Sequence, residues 1–199
     1  MILTLCLATP LNAAEITILA LGDSLTEGYG NSKEEAYPAL VEAALQQQGY
    51  PQVKVLNAGL SGSTSASAVS RLRWYLKVKP QILLLALGAN DGLRGLDISQ
   101  LKKNLGEAIE MARQRQMTVL LVGMKMPLNY GAEYTKSFEE AFPEVAKQYQ
   151  VAFLPFLLEG VGGKPELNLP DGIHPNAAGH RIVAQTVVKH LLPLLAKSQ

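Results

Sequence analysis

"ITILALGDSLTEGYG", residues 16–30, begins as a nearly continuous apolar run and turns at Gly22-Asp23-Ser24 into small and polar side chains. Such a run, closed by glycine, reads as a strand buried on both faces, Ile16–Leu21, that delivers Ser24 just beyond its carboxyl end. Four further runs have the same character: Val53–Ala58, Ile82–Leu87, Thr118–Val122 and Val151–Leu154. Helical patterns separate them at Tyr37–Gln48, Ala66–Leu76, Ser99–Gln116 with Ser99 as its cap, Phe138–Tyr149 and Asn176–Leu192. Strands alternating with helices imply βαβ units. Right-handed crossovers then give a parallel sheet covered on both faces, a three-layer α/β/α sandwich.

Sheets of this kind bind ligands outside the carboxyl ends of their strands, where the strand order reverses. The five strand exits read "GDSLTEGYG", "GLSGSTS", "GANDGLRGL", "GMKMPLNYG" and "PFLLEGVGG". With the order 2-1-3-4-5 the first three become neighbours, and these are the ones richest in Gly, Ser and Asn.

At 199 residues, with 48% hydrophobic and 18% charged residues, the chain fits one globular domain, expected over 15–199. Lys and Arg (18) balance Asp and Glu (17) without a basic stripe, which argues against nucleic acid as a partner. Residues 1–14, "MILTLCLATPLNAA", are apolar, uncharged and end in small residues, as in a secretory signal cut near Ala13 or Ala14. They are too short to span a bilayer. Periplasmic or secreted localisation follows as an expectation, although no basic residue precedes Lys33. Cys6 lies inside this stretch behind Leu5, so it does not read as a lipid anchor. Its removal leaves no cysteine for disulfides, nucleophile or metal.

Ser24 suits a helix cap, but it also suits a nucleophile if a base can take its proton. Of the three histidines, His180 and His190 fall within the last helical pattern and read as solvated or half-buried surface residues. His174 stands instead in the turn-rich "LNLPDGIHPNAAGH", three residues after Asp171. A compact turn can bring that carboxylate to one imidazole nitrogen, fixing its tautomer; Asp171 is equally suited to shaping the turn. Three groups qualify as oxyanion donors: the Ser24 N–H, the Gly62 N–H and the Asn90 amide. Each has a plainer use in a turn, but all stand at adjacent exits. Asp23 reads as a brace of its turn. "GLSGS" lacks the last glycine of a nucleophile elbow, no dinucleotide fingerprint follows a strand, and one histidine among scattered aspartates makes no zinc site.

Four ordered blocks, "LALGDSLTEGYG", "VLNAGLSGSTS", "LALGANDGLRGL" and "LPDGIHPNAAGH", resemble those of the SGNH (GDSL) hydrolase family. With "MPLNYGAEYTKSFEEAFPEVAKQY" and "LPFLLEGV" they resemble in particular its bacterial thioesterase I, lysophospholipase L1 and arylesterase group. The resemblance implies a flavodoxin-like sandwich and cofactor-free hydrolysis of esters and thioesters. By position it implies Ser24 as nucleophile, His174 as general base and Asp171 as its orienter. The same matching implies the Ser24 N–H, Gly62 N–H and Asn90 amide as the oxyanion hole.

An acyl group is then expected over the loops after the third and fourth strands, against Leu93, Leu96, Leu128, Tyr130 and Ile173, with Arg94 able to meet an anionic headgroup. The expected partner is a small acyl ester or thioester, met by a monomer without metal, nucleic acid or stable membrane insertion. Two other readings of the same scaffold are a carbohydrate O-acetylesterase and a non-catalytic glycan- or lipid-binding module.

Overall fold

The computed structural model describes residues 15–196, apart from the side chain of Leu128. The expected leader 1–14, with Cys6, lies outside them. Twelve strands and helices follow in the described residues: β1 (Ile16–Gly22), α1 (Ser24–Glu27), α2 (Tyr37–Gln47), β2 (Val53–Gly59), α3 (Ala68–Tyr75), β3 (Ile82–Ala86), α4 (Ala89–Leu93), α5 (Ile98–Gln114), β4 (Thr118–Val122), α6 (Ala132–Gln148), β5 (Ala152–Leu154) and α7 (Ala177–Leu195). The strands form one parallel sheet in the order β2-β1-β3-β4-β5, as expected. Helices α2 and α7 pack together on one face, and α3, α5 and α6 cover the other.

The three central strands are apolar throughout because both faces meet helices, and their side chains from Ile18 to Leu21, Ile82 to Leu87 and Val119 to Val122 are buried. The two outer strands depart from the expectation of burial on both faces. β2 encloses Val53 and Ala58 but leaves Lys54 and Asn57 exposed and the rest half-buried, and β5 is mostly half-buried. Each is an edge strand with one neighbour only.

Helix ends differ from the pattern where side-chain chemistry overrides periodicity. α5 is capped by Asp97 and not by Ser99, because the Asp97 carboxylate accepts from the Ser99 and Gln100 N–H groups at 2.6 and 3.4 Å. α6 starts six residues before Phe138, since its polar first turns carry no apolar stripe to announce them. α7 runs past Pro193 to Leu195; a proline so near the end removes one N–H without ending the helix. Before α3, residues Ser65–Ser67 form a 3₁₀ turn, so the α-helix expected from Ala66 begins at Ala68.

Register decides where the site falls. Gly22 pairs with both Gly59 and Ala86, so β1, β2 and β3 end level and their exits emerge side by side. A Cβ on Gly22 would lie 1.9 Å from the Thr26 hydroxyl, and one on Gly59 2.0 Å from the Glu27 nitrogen. Two bare strand ends therefore let α1 sit directly on the sheet, with Ser24 as its first residue.

Candidate active site

Asp23 and Ser24 are placed by the sharp turn from β1 into α1. Asp23 caps the helix by accepting from the Leu25 N–H at 3.1 Å, the bracing role expected for it. Burial pushes its carboxyl up to about 6, opposed by that N–H, by Arg71 and by His174 when it is protonated. Ser24 is left half-buried at the mouth of a cavity.

The turn bearing His174 is held from several sides. The Leu169 N–H donates to the His174 carbonyl at 2.7 Å, and Asn168 bridges to Pro175. Asn31 donates to the Pro175 carbonyl at 3.0 Å, while Asn176 caps α7 through the Ala178 and Gly179 N–H groups. Within the turn one Asp171 oxygen accepts from the Ile173 and His174 N–H groups, both at 3.0 Å. The other lies 2.8 Å from His174 Nδ1. Partial burial works against the Asp171 charge, but these N–H groups and the imidazole outweigh it and hold the carboxyl below its ordinary value. An ionised carboxylate only accepts, so Nδ1 carries the proton and Nε2 faces Ser24 Oγ, 2.9 Å away, as an acceptor. The Tyr29 ring packs against the imidazole with centroids 4.7 Å apart.

The other expected residues gather around the same cavity. Gly62 has a φ of +76°, the left-handed region that favours glycine, and its carbonyl accepts from Arg94 at 2.9 Å. Asn90 donates one amide proton to the Ser63 carbonyl at 3.0 Å, and an amide nitrogen has a second to give. Ser24, Gly62, Asn90 and His174 all line a cavity of about 530 Å³.

The wall of that cavity differs in part from the expected one. Leu93 and Ile173 line it; Leu96 and Tyr130 are exposed and do not, the Tyr130 hydroxyl donating instead to the Leu93 carbonyl at 3.2 Å. The Leu128 side chain lies outside the described residues. The missing wall comes from Met124, Met126 and Pro127 after β4, and from Phe156, Leu158, Gly162 and Gly163 after β5. The fifth exit thus shares the site with the first four, as the strand-exit rule applied to every exit would have found.

Arg94 is exposed and engaged with the Gly62 carbonyl. His180 corrects the surface reading: only 1% exposed, it accepts from the Tyr37 N–H at 3.3 Å, and burial pulls its pKa down to about 4, with His174 assisting when protonated and Glu35 opposing. His190 is half-buried beside the Thr186 carbonyl.

Residues 20–182 match the GDSL-like lipase/acylhydrolase family. Esterase TesA of Pseudomonas aeruginosa is 39% identical over 199 residues, covering 98% of both proteins. Thioesterase 1/protease 1/lysophospholipase L1 of Escherichia coli K12 is 38% identical over 194 residues, 97% of this chain and 91% of that protein. The crystal structure of TesA superposes with a TM-score of 0.86 at 39% identity, covering 89% of this chain and 99% of that one.

Proposed function

The chain belongs to the GDSL-like lipase/acylhydrolase family and is a carboxylic ester hydrolase or thioesterase; from that premise we propose that Ser24, His174 and Asp171 perform two-step acyl transfer. The unbroken relay of 2.9 Å from Ser24 Oγ to His174 Nε2 and 2.8 Å from Nδ1 to Asp171 carries the reading. Ser24 Oγ attacks the carbonyl carbon while Nε2 takes its proton, and the Asp171 carboxylate stabilises the imidazolium so formed. The oxyanion is held by the Ser24 and Gly62 N–H groups and the free amide proton of Asn90. The imidazolium then protonates the leaving alkoxide or thiolate, giving the acyl-enzyme. Water, deprotonated by the same imidazole, repeats the cycle and releases the acid. No step calls on a metal or cofactor.

The cavity supports an acyl chain longer than acetyl as the preferred group. Its size falls in the ordinary range of small-molecule sites, roughly 300–1,000 Å³, and Met124, Met126, Phe156 and Leu158 give it apolar walls. Activity that collapses beyond acetyl esters would instead favour a carbohydrate O-acetylesterase. No helix among the described residues is long and apolar enough to cross a membrane. Work in the periplasm or outside the cell rests on the signal-like residues 1–14, and an exported form starting near residue 15 would support it.

Treatment with a fluorophosphonate should add one adduct, mapped to Ser24 by peptide mass. A rate profile over acyl esters of increasing length, with one acyl thioester, should rise beyond acetyl. No adduct and no turnover of either class would sink the assignment.

A further inference from the structure

Asp91 is a carboxylate that acyl transfer does not use. It is 3% exposed, on α4, next to Asn90. Burying a charge is costly unless hydrogen bonds compensate for the lost water, and here both oxygens are satisfied by one residue of another loop. One accepts from the Ser65 N–H at 2.8 Å and the other from the Ser65 hydroxyl at 2.5 Å. The same hydroxyl accepts from Asn104 of α5 at 2.9 Å. Ser65 ends the β2 exit loop, whose Gly62 supplies an oxyanion N–H.

Asn90 on the same short helix and Arg94 at its C-terminal cap hold that loop as well. Asn90 donates to the Ser63 carbonyl and Arg94 to the Gly62 carbonyl. On its other side Glu27 accepts from the Ser61 N–H at 2.8 Å. Arg94, Ser61 and Glu27 are all exposed, so water competes with their contacts; the Asp91 pair is buried and charge-assisted, which makes it the stiffest of the set. α4 itself has five residues, too few to hold its own direction without tertiary anchors.

We propose that Asp91 is a positioning residue for catalysis: by clasping Ser65 it fixes the Gly62 N–H and the Asn90 amide against each other, so that both point at one oxyanion. The proposal rests on the oxyanion assignments above. Displacing a preorganised donor by about 1 Å costs as much as about 100-fold in rate. The ground-state carbonyl demands less of the hole than the tetrahedral oxyanion does, so the loss should fall on kcat and leave KM nearly unchanged.

The test compares wild type, Asp91→Asn and Ser65→Ala, with active sites counted by fluorophosphonate titration. Asp91→Asn puts a donor where an acceptor is needed; Ser65→Ala keeps the N–H bond and removes only the hydroxyl. We expect kcat per titrated site to fall about 10- to 100-fold in the first and by less in the second. KM should stay nearly constant, and the Ki of a trifluoromethyl ketone, which builds the same oxyanion on Ser24, should rise by the same factor as kcat falls. If Asp91→Asn does not fold, Ser65→Ala alone must show the matched change in kcat and Ki. A lowered melting temperature with unchanged kcat and Ki would overturn the clasp and leave the hydrolase intact. A wild type that turns over no ester would overturn the hydrolase reading, and the clasp with it.

Discussion

His174 and His180 stand six residues apart on either side of the start of α7, and their surroundings give them opposite chemistry. The His174 side chain is 16% exposed, with an ionised carboxylate on one nitrogen and a hydroxyl on the other. It can take a proton and hand it on. His180 is enclosed, stacked near Tyr37 with ring centroids 6.3 Å apart and bonded to that residue's backbone. Burial keeps it neutral well below ordinary imidazole values. Tyr37 in turn meets the Thr26 hydroxyl at 2.9 Å, so His180 supports the helix that carries Ser24 from beneath, through a hydrogen bond and packing and without a charge. A proton-transfer partner needs an adjacent charge that favours its protonated form. A core histidine needs only an acceptor's worth of hydrogen bonding.

The strongest test of this contrast removes each side. Ser24→Ala or His174→Ala should lower kcat by about 10⁶-fold with the fold intact, since members of such a relay fail together. His180→Gln should leave kcat of the folded fraction unchanged. A large activity loss in that variant, at normal folded fraction, would break the division. Asp171→Asn should cost about 10⁴-fold, because the imidazole loses the partner that sets its tautomer; steady-state turnover on a short ester measures it.

A third test uses pH. The unfolded chain protonates His180 near 6.5, but the folded protein does so only near 4, so this group removes on the order of 3 kcal/mol of stability as pH falls across that window. Asp23 works the other way: its folded value of about 6 exceeds the ordinary 3.8, so the folded state holds an extra proton between those values and gains stability as pH falls. The two slopes oppose each other between pH 6 and 4. In urea unfolding, His180→Gln should therefore lose less stability than wild type, or gain more, on acidification from pH 6 to 4. A variant whose pH profile runs parallel to that of wild type would contradict the buried, neutral state of His180.

The smallest effect repeats the contrast with glycines. Gly162 lines the cavity on ordinary backbone, and a Cβ there would lie 3.3 Å from Phe156 Cζ. Gly162→Val should reduce kcat/KM for long acyl esters relative to short ones by about tenfold without lowering the melting temperature. Gly179, on the core side, has the Leu167 carbonyl 2.2 Å from where a Cβ would sit. Gly179→Ala should destabilise by about 1–3 kcal/mol and keep the chain-length preference. Equal specificity shifts in both would refute the assignment of the wall.

Much of the site was legible because its signals are local. Asp171 and His174 lie within one turn, and Ser24, Gly62 and Asn90 each follow a run that continuous apolarity and length identify as a strand. The cap of α5 was less legible, since Asp97 and Ser99 are both good caps and only the backbone decides between them. The first turns of α6 carry inward contacts such as Tyr134, whose hydroxyl donates to the Leu96 carbonyl at 3.0 Å, but no apolar period. Leu96 and Tyr130 were expected in the wall for their apolarity, which does not say which way a loop residue points.

The sequence by itself determined the alternation of strands and helices, the exits where chemistry collects, and the short-range pairing of Asp171 with His174, because stiffness and periodicity act over a few residues. Tertiary structure alone decided that β2 and β5 leave residues open to solvent, that the fifth exit closes the cavity, and that His180 is buried. Ser24 meets His174 across 150 residues of chain and Tyr37 meets His180 across 143. For the first pair recurring motifs announce the meeting. For the second nothing in the local chain does, since burial is a property of what packs on a residue from elsewhere.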